Sequence, residues 1–163
     1  MTDNGRHVLL VLVENRPGVL LRVVSMISRR GVNIESLSVG PTEDPTRSRI
    51  TIITDVNDEA WEQITKQLNK LIVVHKITDL TDEPSIEHEL VLFKINAEPE
   101  KLAEITQLTS VFNASIVDVG SKRVTIEAVG DAATLERLQG LLDAYGIVEV
   151  VRSGRVATAR NAV

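Results

Sequence analysis

The chain has 163 residues, of which 43% are hydrophobic and only 2% aromatic, so its core is aliphatic. A formal net charge of −5 and the shortage of aromatic rings argue against the basic, stacking surfaces of nucleic-acid binders. The absence of cysteine removes disulfides, thiolate nucleophiles and cysteine metal ligands.

The start, MTDNGRHVLLVLVENRPG, has a short apolar run and carries Asp3, unlike a secretion signal. No stretch approaches the roughly 20 apolar residues of a membrane span. A cytoplasmic protein with no membrane partner is expected. His7–Glu14, HVLLVLVE, is short, apolar and β-branched, and predicts a buried strand. Pro17 then suits a first helical position, where a missing N–H costs nothing. Leu20, Leu21, Val24 and Ile27 follow at helical spacing, predicting the inner face, with Arg22, Ser25 and Arg29 outside. Gly31 predicts a left-handed cap.

Asn33–Pro41 predicts a second strand and Arg49–Val56 a third, separated by the polar stretch TEDPTRS. Asp58–Leu71 predicts a helix with Asp58 as N-cap and Trp61, Ile64, Leu68 and Leu71 on one face. Val73–Leu80 predicts the strand that closes the first half. The order β-α-β-β-α-β is the ferredoxin-like arrangement. The polar, proline-containing Thr81–Glu87 then reads as a linker. The second half repeats the order: a strand at His88–Ala97, a helix at Pro99–Phe112, strands in ASIVDVG and KRVTIEAVG, a helix at Asp131–Tyr145 and a strand at Ile147–Gly154. The expected architecture is α+β, with two βαββαβ domains in tandem: residues 1–80, a linker at 81–87, and residues 88–163.

Catalytic chemistry is hard to find. His7, His75 and His88 each lie in or beside predicted strands, with no metal-like pairing. Glu43–Asp44 and Asp82–Glu83 are acidic pairs that suit solvated loops. Neither a phosphate loop nor a dinucleotide fingerprint is present.

The stretch ENRPGVLLRVVSMISRRGVNIESLSV, Glu14–Val39, offers a binding chemistry instead. A helix starting at Pro17-Gly18 leaves its first-turn N–H groups without intrahelical partners. Gly18 lets a ligand approach the backbone, and the positive helix end favours a carboxylate. Asn15 and Asn33 add side-chain amides that donate and accept. Pro-Gly and Gly-Val-Asn are also ordinary turn and cap chemistry, and spacing alone favours that plainer reading.

The same stretch resembles the amino-acid-sensing ACT domain, whose first helix follows a strand at a D/E-x-x-G-x-L motif. Glu14, Gly18 and Leu20 occupy those places. Arg29–Ile52 and Glu62–Leu80 resemble more narrowly the regulatory small subunits of acetohydroxyacid synthase, also called acetolactate synthase. The similarity continues through IVDVG, VTIEAVG and IVEVVRSGRVATAR, and so covers nearly the whole chain.

That resemblance implies a non-catalytic subunit that activates a separate large subunit and confers feedback inhibition by branched-chain amino acids, usually valine. Thiamine diphosphate, Mg²⁺ and FAD are then expected in the large subunit, and no cofactor or metal in this chain. It also implies a homodimer through paired ACT domains, with the effector between them. Asn15, Arg16, Pro17, Gly18, Val19 and Leu20 would form one wall, and Asn33 and Ile34 of the neighbouring subunit the other. Glu98 and Glu100 at the start of the second half's first helix would repel a carboxylate, so that half carries no equivalent site. The runner-up reading is a double-ACT sensor that regulates some other enzyme or a transcription factor.

Overall fold

The apolar run at Val8–Val13 forms the middle of a sheet in the computed structural model, which describes residues 5–161. The elements are β1 (Gly5–Glu14), α1 (Val19–Ser28), β2 (Ile34–Pro41), β3 (Arg47–Val56), α2 (Asp58–Leu68), β4 (Val74–Asp79), β5 (Ser85–Asn96), α3 (Leu102–Val111), β6 (Ser115–Val119), β7 (Arg123–Gly130), α4 (Ala132–Leu142), β8 (Ile147–Arg152) and β9 (Val156–Ala159). They divide into two compact units, one of residues up to Ile86 together with those from Arg155, the other Glu87–Gly154. The fold is the expected α+β tandem. The outer ends of the expected domains, residues 1–4 and 162–163, lie outside the described residues.

In the first unit the strands run in the order β2-β3-β1-β4, with every pair antiparallel. One face of the sheet packs Leu9, Val11, Val13, Ile50 and Ile52 against Val19, Val23, Ile27, Trp61, Ile64 and Leu68 of the helices. The opposite face carries a smaller cluster of Val8, Ile53 and Leu80, with Leu10 and Ala157 packed on it. Burial on both faces explains why β1 is continuously apolar rather than alternating.

Two expectations about the helices are corrected. The buried face of α1 is Val19, Val23 and Ile27, whereas Leu20 and Leu21 are 37% and 70% exposed. The helix begins two residues later than Pro17, and the row Val19, Val23 and Ile27, spaced by four, is the face that packs on the sheet. In α2 the N-cap is Asn57, whose side chain accepts the Ala60 N–H at 2.9 Å. Asp58 falls inside the first turn, where its charge still favours the helix start. Trp61, Ile64 and Leu68 are buried as expected, and Leu71 packs against them from beyond the helix end.

The second unit orders its strands β6-β7-β5-β8. Val91, Phe93, Ile95 and Ile126 meet Ile105 of α3 and Leu135, Leu138 and Leu142 of α4. Asp131 caps α4 by accepting the Thr134 N–H at 2.7 Å. Pro99 opens a short 3-10 turn, Pro99–Lys101, that precedes α3.

The residues from Arg155 pack with the first unit, and β9 pairs with β5. The Arg160 N–H donates to the Pro84 carbonyl at 2.8 Å and its Nε to the Ser85 carbonyl at 3.2 Å. These bonds satisfy the backbone of the expected linker, and the strand β5 already begins at Ser85. Among the described residues no helix is long and apolar enough to cross a membrane.

Candidate functional site

Between β1 and α1 the chain turns through Arg16-Pro17-Gly18-Val19. Gly18 has φ 83° and ψ −10°, and the Val19 N–H reaches back to the Arg16 carbonyl at 3.4 Å. Those angles, with proline before a left-handed glycine, define a type II turn. Pro17 is thus the corner of the turn, not the first helical residue. Gly18 is itself the N-cap, and its carbonyl accepts the first helical bond from Arg22 at 3.1 Å. No side chain among the described residues caps this end, and its first turn holds no acid. The Leu20 and Leu21 N–H groups lie in the turn that has no intrahelical acceptor. A Cβ added at Gly18 would meet nothing within 4 Å. The result is an open, electropositive helix start at the surface.

The loop before it is braced by the hairpin between β2 and β3. Asn15 donates its backbone N–H to the Thr46 carbonyl at 2.7 Å and its side-chain amide to the Pro45 carbonyl at 2.9 Å. One of the two side-chain N–H donors of Asn15 is therefore already used, which the sequence did not reveal. The hairpin turn is itself held by Asp44, which accepts from the Thr46 N–H at 2.9 Å and the Thr46 hydroxyl at 2.6 Å. Those two Thr46 bonds, with Arg47 beside them, hold the Asp44 carboxyl below its usual range. Arg16 pairs through Nε with the Glu14 carboxylate.

The candidate residues separate by exposure. Asn15, Arg16, Pro17 and Gly18 are exposed. Leu20 is partly open, whereas the Val19 side chain is 4% exposed and belongs to the core. Val19 can thus offer a ligand its backbone, not its side chain. Asn33 is exposed, and Ile34 is half-buried against the core.

The two sets do not converge within one chain. Ile34 pairs with Thr54, which on its other side pairs with His7. From His7 to Glu14 is seven residues along β1, roughly 23 Å at the rise of an extended strand. The helix between the sets has ten residues, a length of about 15 Å. A single amino acid cannot touch Gly18 and Asn33 of the same chain. The β2 strand that leads from Asn33 is an edge of its sheet.

Other ionisable clusters are structural. His7 is buried and stacks on Trp61 with ring centroids 4.6 Å apart. Its Nε2 lies 3.0 Å from the Val56 carbonyl, which can only accept, so Nε2 carries a proton. Trp61 donates to Asp79 at 2.6 Å. In the second unit, Glu104 accepts from Lys101 at 2.9 Å and from the Tyr145 hydroxyl at 2.7 Å. Among the described residues no three His, Asp or Glu gather as metal ligands would.

A double βαββαβ chain whose first helix starts uncapped after a strand has the features of a tandem regulatory protein with an N-terminal ACT domain. Residues 9–76 match the family model described as the AHAS small subunit-like ACT domain, and residues 88–161 that described as the small subunit of acetolactate synthase. The acetolactate synthase small subunit of Mycobacterium bovis is 47% identical over 155 residues, 95% of this chain and 92% of that one. A probable acetolactate synthase small subunit of Archaeoglobus fulgidus is 48% identical over 156 residues, covering 96% and 98%. The crystal structure of the Thermotoga maritima acetolactate synthase small subunit superposes with a TM-score of 0.87 at 37% identity, covering 97% of this chain and 99% of that one. The chain belongs to the family of acetolactate synthase small subunits, the regulatory and not the catalytic chains of that enzyme.

Proposed function

We propose that the chain binds and activates a catalytic large subunit of acetolactate synthase in the cytoplasm, and makes it sensitive to branched-chain amino acids, valine foremost. In this reading thiamine diphosphate, Mg²⁺ and FAD reside in the large subunit. The observation that carries the effector site is the uncapped, acid-free helix start at Gly18, set in a braced loop and open to solvent.

The effector's carboxylate would lie over the N–H groups near Gly18 to Leu20, and its ammonium against an amide or carbonyl oxygen, with Asn33 a candidate. The wide separation of Gly18 and Asn33 along the sheet supports a site shared by two chains. Two β2 edges running antiparallel about a two-fold axis would carry the partner's strand start towards the helix start of the first chain.

The energetics support this reading. Burying a branched aliphatic side chain contributes roughly 1.5–3 kcal/mol. Each hydrogen bond to a charged group adds about 1.5–3 kcal/mol before ordering costs. A Kd between about 1 mM and 1 µM needs roughly 4–8 kcal/mol. A shallow shared site therefore reaches the affinity of a metabolite sensor. Because two chains share it, occupancy also biases how they pair, which couples the site to the catalytic partner.

The test is calorimetric titration of the purified chain with valine, leucine, isoleucine and alanine, alongside activity of the reconstituted enzyme. Saturable valine binding with alanine much weaker, and activation that valine reverses, is the expected result. Activation without binding of any branched-chain amino acid would remove the sensor from this reading.

A further inference from the structure

The start of β2 is irregular. Ile34 pairs with Thr54 but Ser36 pairs with the adjacent Ile53, so Glu35 is an extra residue that the ladder does not hold. Such bulges re-aim the chain and weaken local pairing. Because β2 is also an edge strand, no second ladder among the described residues steadies it.

A segment from far along the sequence grips this stretch. The Arg155 N–H donates to the Ser36 hydroxyl at 2.8 Å. The Ser38 hydroxyl donates to the Arg155 carbonyl at 2.8 Å. The Arg155 guanidinium, 14% exposed, lies 3.3 Å from the Glu35 carboxylate. Two residues on, Ala157 packs on the cluster of Val8, Ile53 and Leu80, which fixes the returning strand on the sheet. Both main-chain groups of one residue and its side chain thus bind three consecutive or alternate positions of a bulged strand.

We infer that Arg155, Ser36, Ser38 and Glu35 form a clamp that positions Asn33 and Ile34, and so sets effector affinity without touching the effector. This rests on the reading of Asn33 and Ile34 as the second wall of the amino-acid site. The ladder leaves the strand start free to shift at the bulge, and the clamp removes that freedom. Asn33 lies two residues before the residue that Arg155 pairs with, close enough for a change in the clamp to move its amide. Ser36, Ser38, Glu35 and Arg155 all lie in the first unit and are positioning residues.

The test is the double variant Ser36→Ala/Ser38→Ala, with Ser36→Thr/Ser38→Thr as the rescue that keeps both hydroxyls. Hydrogen exchange of the full chain without effector should lose protection by about tenfold or more at residues 33–37 in the alanine variant only. Valine Kd and the half-inhibitory valine concentration of the reconstituted enzyme should rise by about tenfold. Activation without valine should stay within about twofold, and the threonine variant should match the wild type in every readout. Unchanged exchange or unchanged valine affinity in the alanine variant overturns the clamp. A parallel fall in activation and melting temperature overturns it as well, since the serines would then serve general folding. If the wild type binds no branched-chain amino acid, the functional reading fails, and the exchange measurement alone decides whether the clamp orders β2.

Discussion

Asn15 donates its side-chain amide to the Pro45 carbonyl at 2.9 Å, which ties the start of α1 to a hairpin thirty positions away. With the Asn15 N–H bound to Thr46, the loop is held at two points. Removing the side-chain bond in Asn15→Ala should lower stability by about 0.5–1.5 kcal/mol. Valine affinity should fall with it, because the helix start loses its brace. Denaturant unfolding and calorimetry on the same variant check this, and wild-type valine affinity would show that the hairpin does not set the turn.

Gly18 separates backbone strain from charge. Its φ of 83° costs an ordinary side chain roughly 1–2 kcal/mol, less for asparagine and aspartate. No neighbour blocks a Cβ there, so Gly18→Asn and Gly18→Asp pay a similar backbone cost. Only the second places a negative charge where the proposed effector's carboxylate would lie. Gly18→Asp is expected to abolish valine inhibition while keeping activation, and Gly18→Asn to retain weakened inhibition. Dose–response curves of the two reconstituted enzymes would show the difference; equal responses would remove the carboxylate from the helix end.

Thr54 is fully buried, and its hydroxyl has no hydrogen-bond partner among the described residues. Valine has nearly the same shape without the polar atom. Thr54→Val should stabilise the chain by about 1–3 kcal/mol, the desolvation cost of an unmet group. A lower denaturant midpoint would instead point to a bound water at that hydroxyl.

Tyr145 is the single tyrosine of the chain, so its ionisation can be read alone by absorbance. Its hydroxyl donates to Glu104, and that bond to a carboxylate pushes the phenol above its ordinary value. The same bond and that of Lys101 hold the Glu104 carboxyl below its usual range. The signs differ at the two ends of the pH scale. The tyrosine contribution is complete below the ordinary phenol value, about 10, and is lost as pH rises through the raised one. The glutamate contribution is present above the ordinary carboxyl value, about 4.3, and is lost as pH falls through the lowered one. Glu104→Gln should bring the tyrosinate midpoint down, and an unmoved midpoint would break the assignment.

Much of the fold was legible because its signals are local. The apolar runs at Val8–Val13 and Ile50–Ile53, the leucine spacing of Leu135, Leu138 and Leu142, and the proline and glycine between elements each act within a few residues. The inner face of α1 was misread because the helix carries two apolar rows, Val19-Val23-Ile27 and Leu20-Val24-Ile27, and only packing on the sheet selects the first. The choice of Asn57 over Asp58 as cap is a one-residue shift that propensity cannot resolve. Least legible was the return of Arg155–Ala159 to the first unit, whose partners lie more than a hundred residues away at Ser36 and Ser38. The candidate site residues were visible as a motif, but their separation along the sheet came only from the strand register.

That separation is the central claim, and complementation between two defective chains tests it most directly. Gly18→Asp damages one wall, and Asn33→Lys, at an exposed position, damages the other with a charge that repels the effector's ammonium. Each homodimer alone should bind no valine. When the two are unfolded together, refolded and titrated, heterodimers contain one site built from two undamaged walls, and saturable valine binding should return. If the mixture stays silent while both parents are folded and dimeric, Gly18 and Asn33 do not meet across the dimer and the shared site is wrong.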